Sequence, residues 1–173
     1  VTLPLDRFLQ LTGSRSANPP PAAGPAAPVT HLFPQGDYRV TTEDRFVRVE
    51  ADLQLTVYSQ GWVSLDLLTS PVVLKSARLD GQPLLTQPGE GGGLKALVQR
   101  PGSHRLQMVY YLPLSQTGAS RSFSLLTPAS AVSRLRLVVS GKEIDVTSNP
   151  KVPLLSVAKS GATVVTGALP GGA

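Results

Sequence analysis

Residues 47–58, with the sequence VRVEADLQLTVY, decide the fold of this 173-residue chain. Every second side chain is apolar, and the side chains between them are polar or amphipathic. A β-strand points successive side chains to opposite faces of its sheet, so the stretch predicts a long strand with one buried and one solvated face. The apolar positions are Val47, Val49, Ala51, Leu53, Leu55 and Val57.

Weaker alternations of the same kind follow as far as the C-terminus, and turn residues separate them. The clearest turn is Asp80-Gly81, a two-residue hairpin signal between apolar flanks. Short strands without helical crossovers between them predict an all-β antiparallel β-sandwich of the Ig-like or jelly-roll-like kind. We expect strands near residues 37–41, 45–59, 62–68, 72–79, 83–86, 94–98, 104–112, 121–126, 134–139, 143–148, 154–158 and 162–168. The predicted core includes Val49, Leu53, Leu55, Leu65, Leu106, Met108, Leu135 and Leu137.

Composition divides the chain into three parts. Residues 1–16 form a short amphipathic arm, residues 17–30 a Pro/Ala-rich linker that favours extended polyproline II, and residues 31–169 the β-sandwich domain. Two helical turns are not stable alone, so we expect the arm to dock on a partner chain or on its own domain. The apolar side chains of this partner-docking arm are Leu5, Phe8, Leu9 and Leu11.

The composition excludes several functional classes. The chain contains no cysteine, so disulfides, thiolate nucleophiles and cysteine-based zinc sites are impossible. No run of about 18 apolar residues occurs, so we expect no membrane span in this chain. The net charge is +5, and its cations are scattered singly after residue 60. They indicate solubility more than an anionic partner, and without interleaved stacking aromatics we expect no nucleic-acid binding.

The residues that carry chemistry in other proteins are few and dispersed. His31 and His104 lie far apart in the sequence, and neither has the spacing of a metal-binding motif. Glu50 and Asp52 share one face of a predicted strand, as the polar residues of strands routinely do. No GxSxG elbow and no phosphate-cradling glycine loop is present. We therefore expect no catalytic residue, no metal, no cofactor and no enzymatic activity.

Three aromatic side chains are the candidate binding residues. Tyr58 and Trp62 flank the Gln60-Gly61 turn, and Tyr111 shares the outward parity of its strand with Arg105. Aromatic rings beside polar groups suit sugar rings or protein partners. The alternative interpretation is that Tyr58 and Trp62 pack beneath the N-terminal segment.

Two turns resemble known modules. Leu79-Asp80-Gly81-Gln82-Pro83 and Pro101-Gly102-Ser103-His104-Arg105-Leu106 resemble paired turns in the Ig-like β-sandwich segments of large envelope proteins of Gram-negative bacteria. The resemblance implies an extracytoplasmic β-sandwich, in the periplasm or at the cell surface, and assigns no functional residue.

These observations lead to one principal hypothesis and two alternatives. The principal one is a non-catalytic structural or protein-interaction module of a bacterial envelope or surface assembly, with a protein partner or self-assembly. The first alternative is a carbohydrate-binding module that binds a glycan through the exposed aromatics. The distant alternative is a hydrolase, which would need a cleft joining His104 to carboxylates.

Overall fold

A computed structural model describes residues 28–141 and 143–169 of the chain. These residues form β-strands and one short 3-10 turn, Glu90–Gly92. The strands are β1 (His31–Thr42), β2 (Phe46–Val57), β3 (Val63–Leu68), β4 (Val73–Leu79), β5 (Gln82–Pro83), β6 (Thr86–Pro88), β7 (Leu94–Val98), β8 (Gly102–Pro113), β9 (Ser115–Thr117), β10 (Ser120–Ser122), β11 (Ser130–Ser140), β12 (Leu154–Lys159) and β13 (Ala162–Leu169). Within the described residues, no helix is long and apolar enough to cross a bilayer.

The strands build a large sheet and a small sheet. The large sheet has eight strands in the order β12-β13-β11-β1-β2-β8-β4-β5, and the small sheet has three in the order β3-β7-β6. Strands β9 and β10 form a separate hairpin. The predicted all-β sandwich is confirmed. Every described pair is antiparallel except β1 with β11, which run parallel and which the alternation of side chains does not reveal.

The core lies between the large and the small sheet. The apolar row of β2 is buried completely, with the inward side chains of β1 and β8 in register on either side. Seven of the eight residues that we predicted to be buried are buried, and Leu135 is only half-buried. The strand beyond Leu135 places Gly167 opposite it, and a glycine has no side chain to cover a neighbour.

The buried Tyr110 contacts the segment that leads into β11. The Tyr110 hydroxyl donates a hydrogen bond to the carbonyl of Leu126 at 2.7 Å, and burial raises its pKa, so the proton stays in place. The prediction of a strand over 121–126 is therefore wrong beyond Ser122. Residues 123–129 belong to no strand, and the contact with Tyr110 satisfies the carbonyl of Leu126 among them.

Two further strand predictions need correction. The range 83–86 is divided between β5 in the large sheet and β6 in the small sheet, because the chain crosses the sandwich there. The range 143–148 forms no strand. Its Ile144 amide donates to the Thr163 hydroxyl at 3.1 Å, and the Ser148 hydroxyl accepts from Val152, so side chains take the place of a neighbouring strand.

The predicted Asp80-Gly81 hairpin is confirmed as the connection between β4 and β5. Leu79 pairs with Gln82 across the turn, and the φ angles of Asp80 and Gly81 are 51° and 81°. A type I′ turn requires positive φ at both central positions, which aspartate followed by glycine supplies at low cost.

Candidate interaction surfaces

The outer surface of the large sheet is concave. Its centre, formed by β8, β2, β1, β11 and β13, encloses a cavity volume of about 1010 Å³ that is open to solvent. We call this surface the concave face. It consists of the polar positions that alternate with the buried ones on each strand, so the same alternation that builds the core also builds this surface.

The acidic side chains of β2 on the concave face are bound to arginines. Asp52 accepts hydrogen bonds from Nε and Nη2 of the Arg105 guanidinium, and the Nε–Oδ1 distance is 2.8 Å. This contact holds the pKa of Asp52 below its ordinary value. Glu50 pairs with Arg48 at 2.6 Å. Glu50 and Asp52 thus share a face as predicted, but each carboxylate neutralises its own cation.

Three other arginines on the same face are exposed, and one of them, Arg39, lies opposite Glu50 on β2 and helps to lower the pKa of Asp52. Arg39 lies opposite Arg136 in the parallel ladder of β1 and β11, and Arg134 lies opposite Asp37. The Asp37 carboxylate accepts a hydrogen bond from the Gln35 amide at 3.0 Å. Among the described residues, the ion pairs include none of these three arginines. We call Arg39, Arg134 and Arg136 the arginine triad.

The two turns that carry the resemblance meet at one end of the large sheet. Asp80 accepts a hydrogen bond from the backbone amide of Arg105 at 2.8 Å, and its second oxygen lies 2.7 Å from His104 Nδ1. The backbone bond, followed by the His104 contact, lowers the pKa of Asp80. His104 Nε2 lies 2.9 Å from the carbonyl of Arg100. Both ring nitrogens of His104 therefore lie within hydrogen-bond distance of an oxygen, which fixes the orientation of the ring.

The histidines therefore have structural partners. His31 Nδ1 lies 3.1 Å from the Thr30 hydroxyl, its ring packs edge-to-face with Phe33 at a centroid distance of 5.7 Å, and burial lowers its pKa. Both histidines flank β2 at the same end of the sheet, but each is held by its own neighbours. In the part of the chain that the structure describes, no group of three or more His, Cys, Asp or Glu side chains is placed to hold a metal ion.

The candidate aromatic residues lie in two places. Tyr58 and Trp62 are 46% and 60% exposed in the loop between β2 and β3. Tyr111 is half-buried, faces Arg48 near the opposite end of β2, and stacks edge-on against Phe46 with ring centroids 5.5 Å apart. The structure thus places the loop aromatics in one region and Tyr111 in another, and the three rings do not form one row.

The arm residues Leu5, Phe8, Leu9 and Leu11 lie outside the described residues, as do the linker residues up to 27. Their predicted docking on a partner stays a prediction.

The edge of the large sheet at β12 is apolar. Strand β12 pairs with β13 on one side, and Leu155 and Val157 project from it 66% and 53% exposed. Leu154 is the one partly buried residue of β12, and it approaches Gly167 so closely that a Cβ there would lie 2.7 Å from the Leu154 side chain. The alternation of side chains predicts this strand but not its edge position, because the edge position depends on the pairing of distant strands.

No family model matches the chain, and no curated protein matches it. Solved structures do share its fold. The chain is similar to part of an M1 zinc metallopeptidase from Deinococcus radiodurans, with a TM-score of 0.52 and 14% identity over 80% of this chain and 39% of that one. It is also similar to part of Legionella pneumophila aminopeptidase A, with a TM-score of 0.55 and 10% identity over 82% of this chain and 20% of that one. The chain spans about two fifths and one fifth of these proteins, and at such identity the likeness is one of fold.

Proposed function

We propose that the chain is a non-catalytic interaction module that self-assembles through the edge of β12. The exposure of Leu155 and Val157 on an edge strand is the observation that carries this proposal. An edge strand presents backbone N–H and C=O groups that a further strand can pair with, and proteins usually protect such edges with charges, prolines or bulges. Within β12 the one charged residue is Lys159, at its end.

A second copy of the same strand is the occupant that fits this edge best. Antiparallel pairing about a two-fold axis at Ser156 places Leu155 of each copy opposite Val157 of the other, so the interface contains two such apolar pairs. The same register keeps the two Lys159 side chains apart. Each apolar cross-strand pair contributes roughly 0.2–1 kcal/mol, so the association is weak unless a parent assembly raises the local concentration.

The setting of the module is also part of the proposal. We place it in a bacterial envelope or surface assembly, outside the cytoplasm. The support is the resemblance to Ig-like envelope modules, whose two turns are joined in this structure by the contacts of Asp80 with His104 and Arg105. The module acts by presenting a stable β-scaffold, with the N-terminal arm as an additional docking segment.

Light scattering over a range of protein concentrations tests the edge proposal. The wild-type mass should rise toward twice the chain mass between roughly 10 µM and 1 mM. A double variant, Leu155→Lys with Val157→Lys, should stay monomeric because two charges cannot pair across the edge. Val73→Lys is the matched control, since Val73 is a 69% exposed valine on β4 at the far side of the same sheet.

Two results would overturn self-assembly through β12. One is a wild-type chain that remains monomeric throughout this range. The other is association that survives in the double variant. A chain lacking residues 1–16 separates the arm from the edge, because loss of association only in that truncation assigns the contact to the arm.

Carbohydrate binding is the second candidate, and the exposure of Trp62 beside Tyr58 favours it. Trp62 is the single tryptophan of the chain, so its fluorescence reports directly on this loop. Titration with cellohexaose and chitohexaose should shift that fluorescence if a glycan stacks there, and Tyr58→Ala should weaken the response. An unchanged spectrum at millimolar sugar would remove this candidate.

The hydrolase alternative draws its support from the structural neighbours, which are a zinc metallopeptidase and an aminopeptidase. The assay is release of p-nitroaniline from aminoacyl p-nitroanilides in the presence of added zinc. Turnover that a chelator abolishes and that His104→Gln removes would replace the non-catalytic proposal.

A further inference from the structure

We propose that the concave face binds an extended acidic segment of a protein partner, whose carboxylates pair with the arginine triad. This binding goes beyond self-assembly, because it uses the face of the large sheet, whereas self-assembly uses the adjoining free backbone edge of β12. The proposal rests on three observations: the charge balance of the face, the register of its strands and the shape of its floor.

The centre of the concave face carries an excess of positive charge, because its five arginines, the triad with Arg48 and Arg105, outnumber its three carboxylates. Arg39 and Arg136 face each other directly across β1 and β11, and like charges in that position destabilise a sheet. Two of the nearby acids bind other arginines, since Asp52 holds Arg105 and Glu50 holds Arg48, so Asp37 is the one that remains beside the triad. A carboxylate from outside would remove the repulsion that the fold itself leaves in place.

The register matches an extended peptide. Arg134 and Arg136 occupy alternate positions of β11, so their Cα atoms are separated by about 6.6 Å, the repeat of same-face side chains in any extended chain. A segment with acidic residues at alternate positions therefore presents its carboxylates at the same interval as the guanidinium groups. The planar fork of arginine binds a carboxylate with two parallel hydrogen bonds, which favours this ligand over a point anion.

The floor of the face leaves room for such a segment. Strand β13 places Ala168 opposite Arg134 and Thr166 opposite Arg136, and both side chains are small. They line the cavity of about 1010 Å³ together with the triad. A peptide laid along β13 therefore meets low side chains beneath its backbone and the arginines of β11 beside it.

A nucleic acid fits this surface less well. Asp37, Glu50 and Asp52 are interspersed with the arginines and would repel a continuous phosphate backbone. Base stacking would need free aromatic rings, whereas Tyr111, the aromatic residue on the outward positions of β8, already stacks on Phe46. The mixture of signs suits a short segment with a few carboxylates in register.

Fluorescence polarisation with a fluorescein-labelled peptide of four Glu-Thr repeats tests the inference on the full chain. We expect saturable binding that weakens with salt. A double variant, Arg134→Gln with Arg136→Gln, should bind about tenfold more weakly or worse, because each lost guanidinium removes charge-assisted hydrogen bonds. Arg121→Gln removes an exposed arginine from the β10 hairpin and should bind like the wild type.

The outcomes are separable from those of the edge proposal. The Arg134→Gln, Arg136→Gln variant keeps the β12 edge, so its mass at each concentration should match the wild type, and its thermal melting shows that it is folded. Equal peptide affinity of this variant and the wild type would overturn the inference. So would tighter binding of an oligothymidylate of equal charge than of the acidic peptide, or equal binding of a Gln-Thr repeat.

Discussion

Leu53→Ala is the most direct test of the core. Leu53 is fully buried at the centre of β2, with Gly36 opposite it on β1 and Leu106 opposite it on β8. Truncation to alanine loses about 2.4 kcal/mol of transfer free energy at about 0.8 kcal/mol for each buried methylene. The cavity left behind in a site held by strands on both sides brings the expected loss to roughly 3–5 kcal/mol.

The glycine opposite makes this test sharper. A Cβ built on Gly36 would lie 2.7 Å from Leu53 Cδ2, so Gly36→Ala alone overfills the site and should cost roughly 1–3 kcal/mol. In the Leu53→Ala background that clash disappears, although Tyr38 Cε2 still lies 3.0 Å away. The double variant should therefore be about 1 kcal/mol more stable than the sum of the single losses predicts.

Urea unfolding followed by circular dichroism gives the free energies of all four chains in this cycle. A loss below about 0.5 kcal/mol for Leu53→Ala is typical of surface positions and would refute the register of β2. Losses that add within about 0.3 kcal/mol would refute the direct contact between residues 36 and 53.

Further predictions concern a glycine, a carboxylate and the arm. Gly93→Ala should lower the melting temperature strongly, because a Cβ there collides with the backbone carbonyl of Leu68. Gly118→Ala is the control: the space around it is open, so it should lower the melting temperature less, through the strain of its positive φ alone. Hydrogen bonds from Arg105 and His104 depress the pKa of Asp80, so this carboxylate stabilises the fold above its unfolded pKa and loses that effect as the pH falls through its folded pKa. Asp80→Asn should accordingly lower the melting temperature near neutrality and flatten its decline below about pH 5, measured by calorimetry. Deleting residues 1–16 should leave the melting temperature unchanged and reduce partner binding; a collapse in melting temperature at constant mass would instead assign the arm to the domain core.

Local patterns were sufficient for most strands. The alternation of residues 47–58 predicts both ends of β2, Phe46–Val57, to within one residue. It does so because a shift of the register by one residue would expose the whole apolar face of the strand. Asp80-Gly81 locates its hairpin for an equally local reason, the positive φ angles of its two central residues. At 143–148 the same alternation was misleading, since Thr163 and Ser148 satisfy the backbone there without a ladder.

The interaction surfaces depend on pairing that the alternation does not encode. Arg39 and Arg136 are almost a hundred positions apart, and only the parallel register of β1 with β11 makes them neighbours. The exposure of Leu155 and Val157 likewise follows from the edge position of β12. For the three candidate aromatic residues, local parity was predicted correctly but their relative positions were not. Tyr111 points outward as predicted, but it packs against Phe46 at the end of β2 that is remote from Trp62.

The parallel junction of β1 with β11 divides the large sheet into an N-terminal and a C-terminal block. Among the described residues, the block from β11 to β13 contributes only Leu137 and Val165 to the buried apolar core. Native-state hydrogen exchange should therefore find that this block opens as one cooperative unit below the global unfolding free energy. The arginine triad straddles the junction, with Arg39 on one side and Arg136 on the other. A bound acidic segment would contact both blocks and stabilise the junction between them. Its binding would therefore slow hydrogen exchange at β11 amides that the segment does not contact, as well as at those that it does.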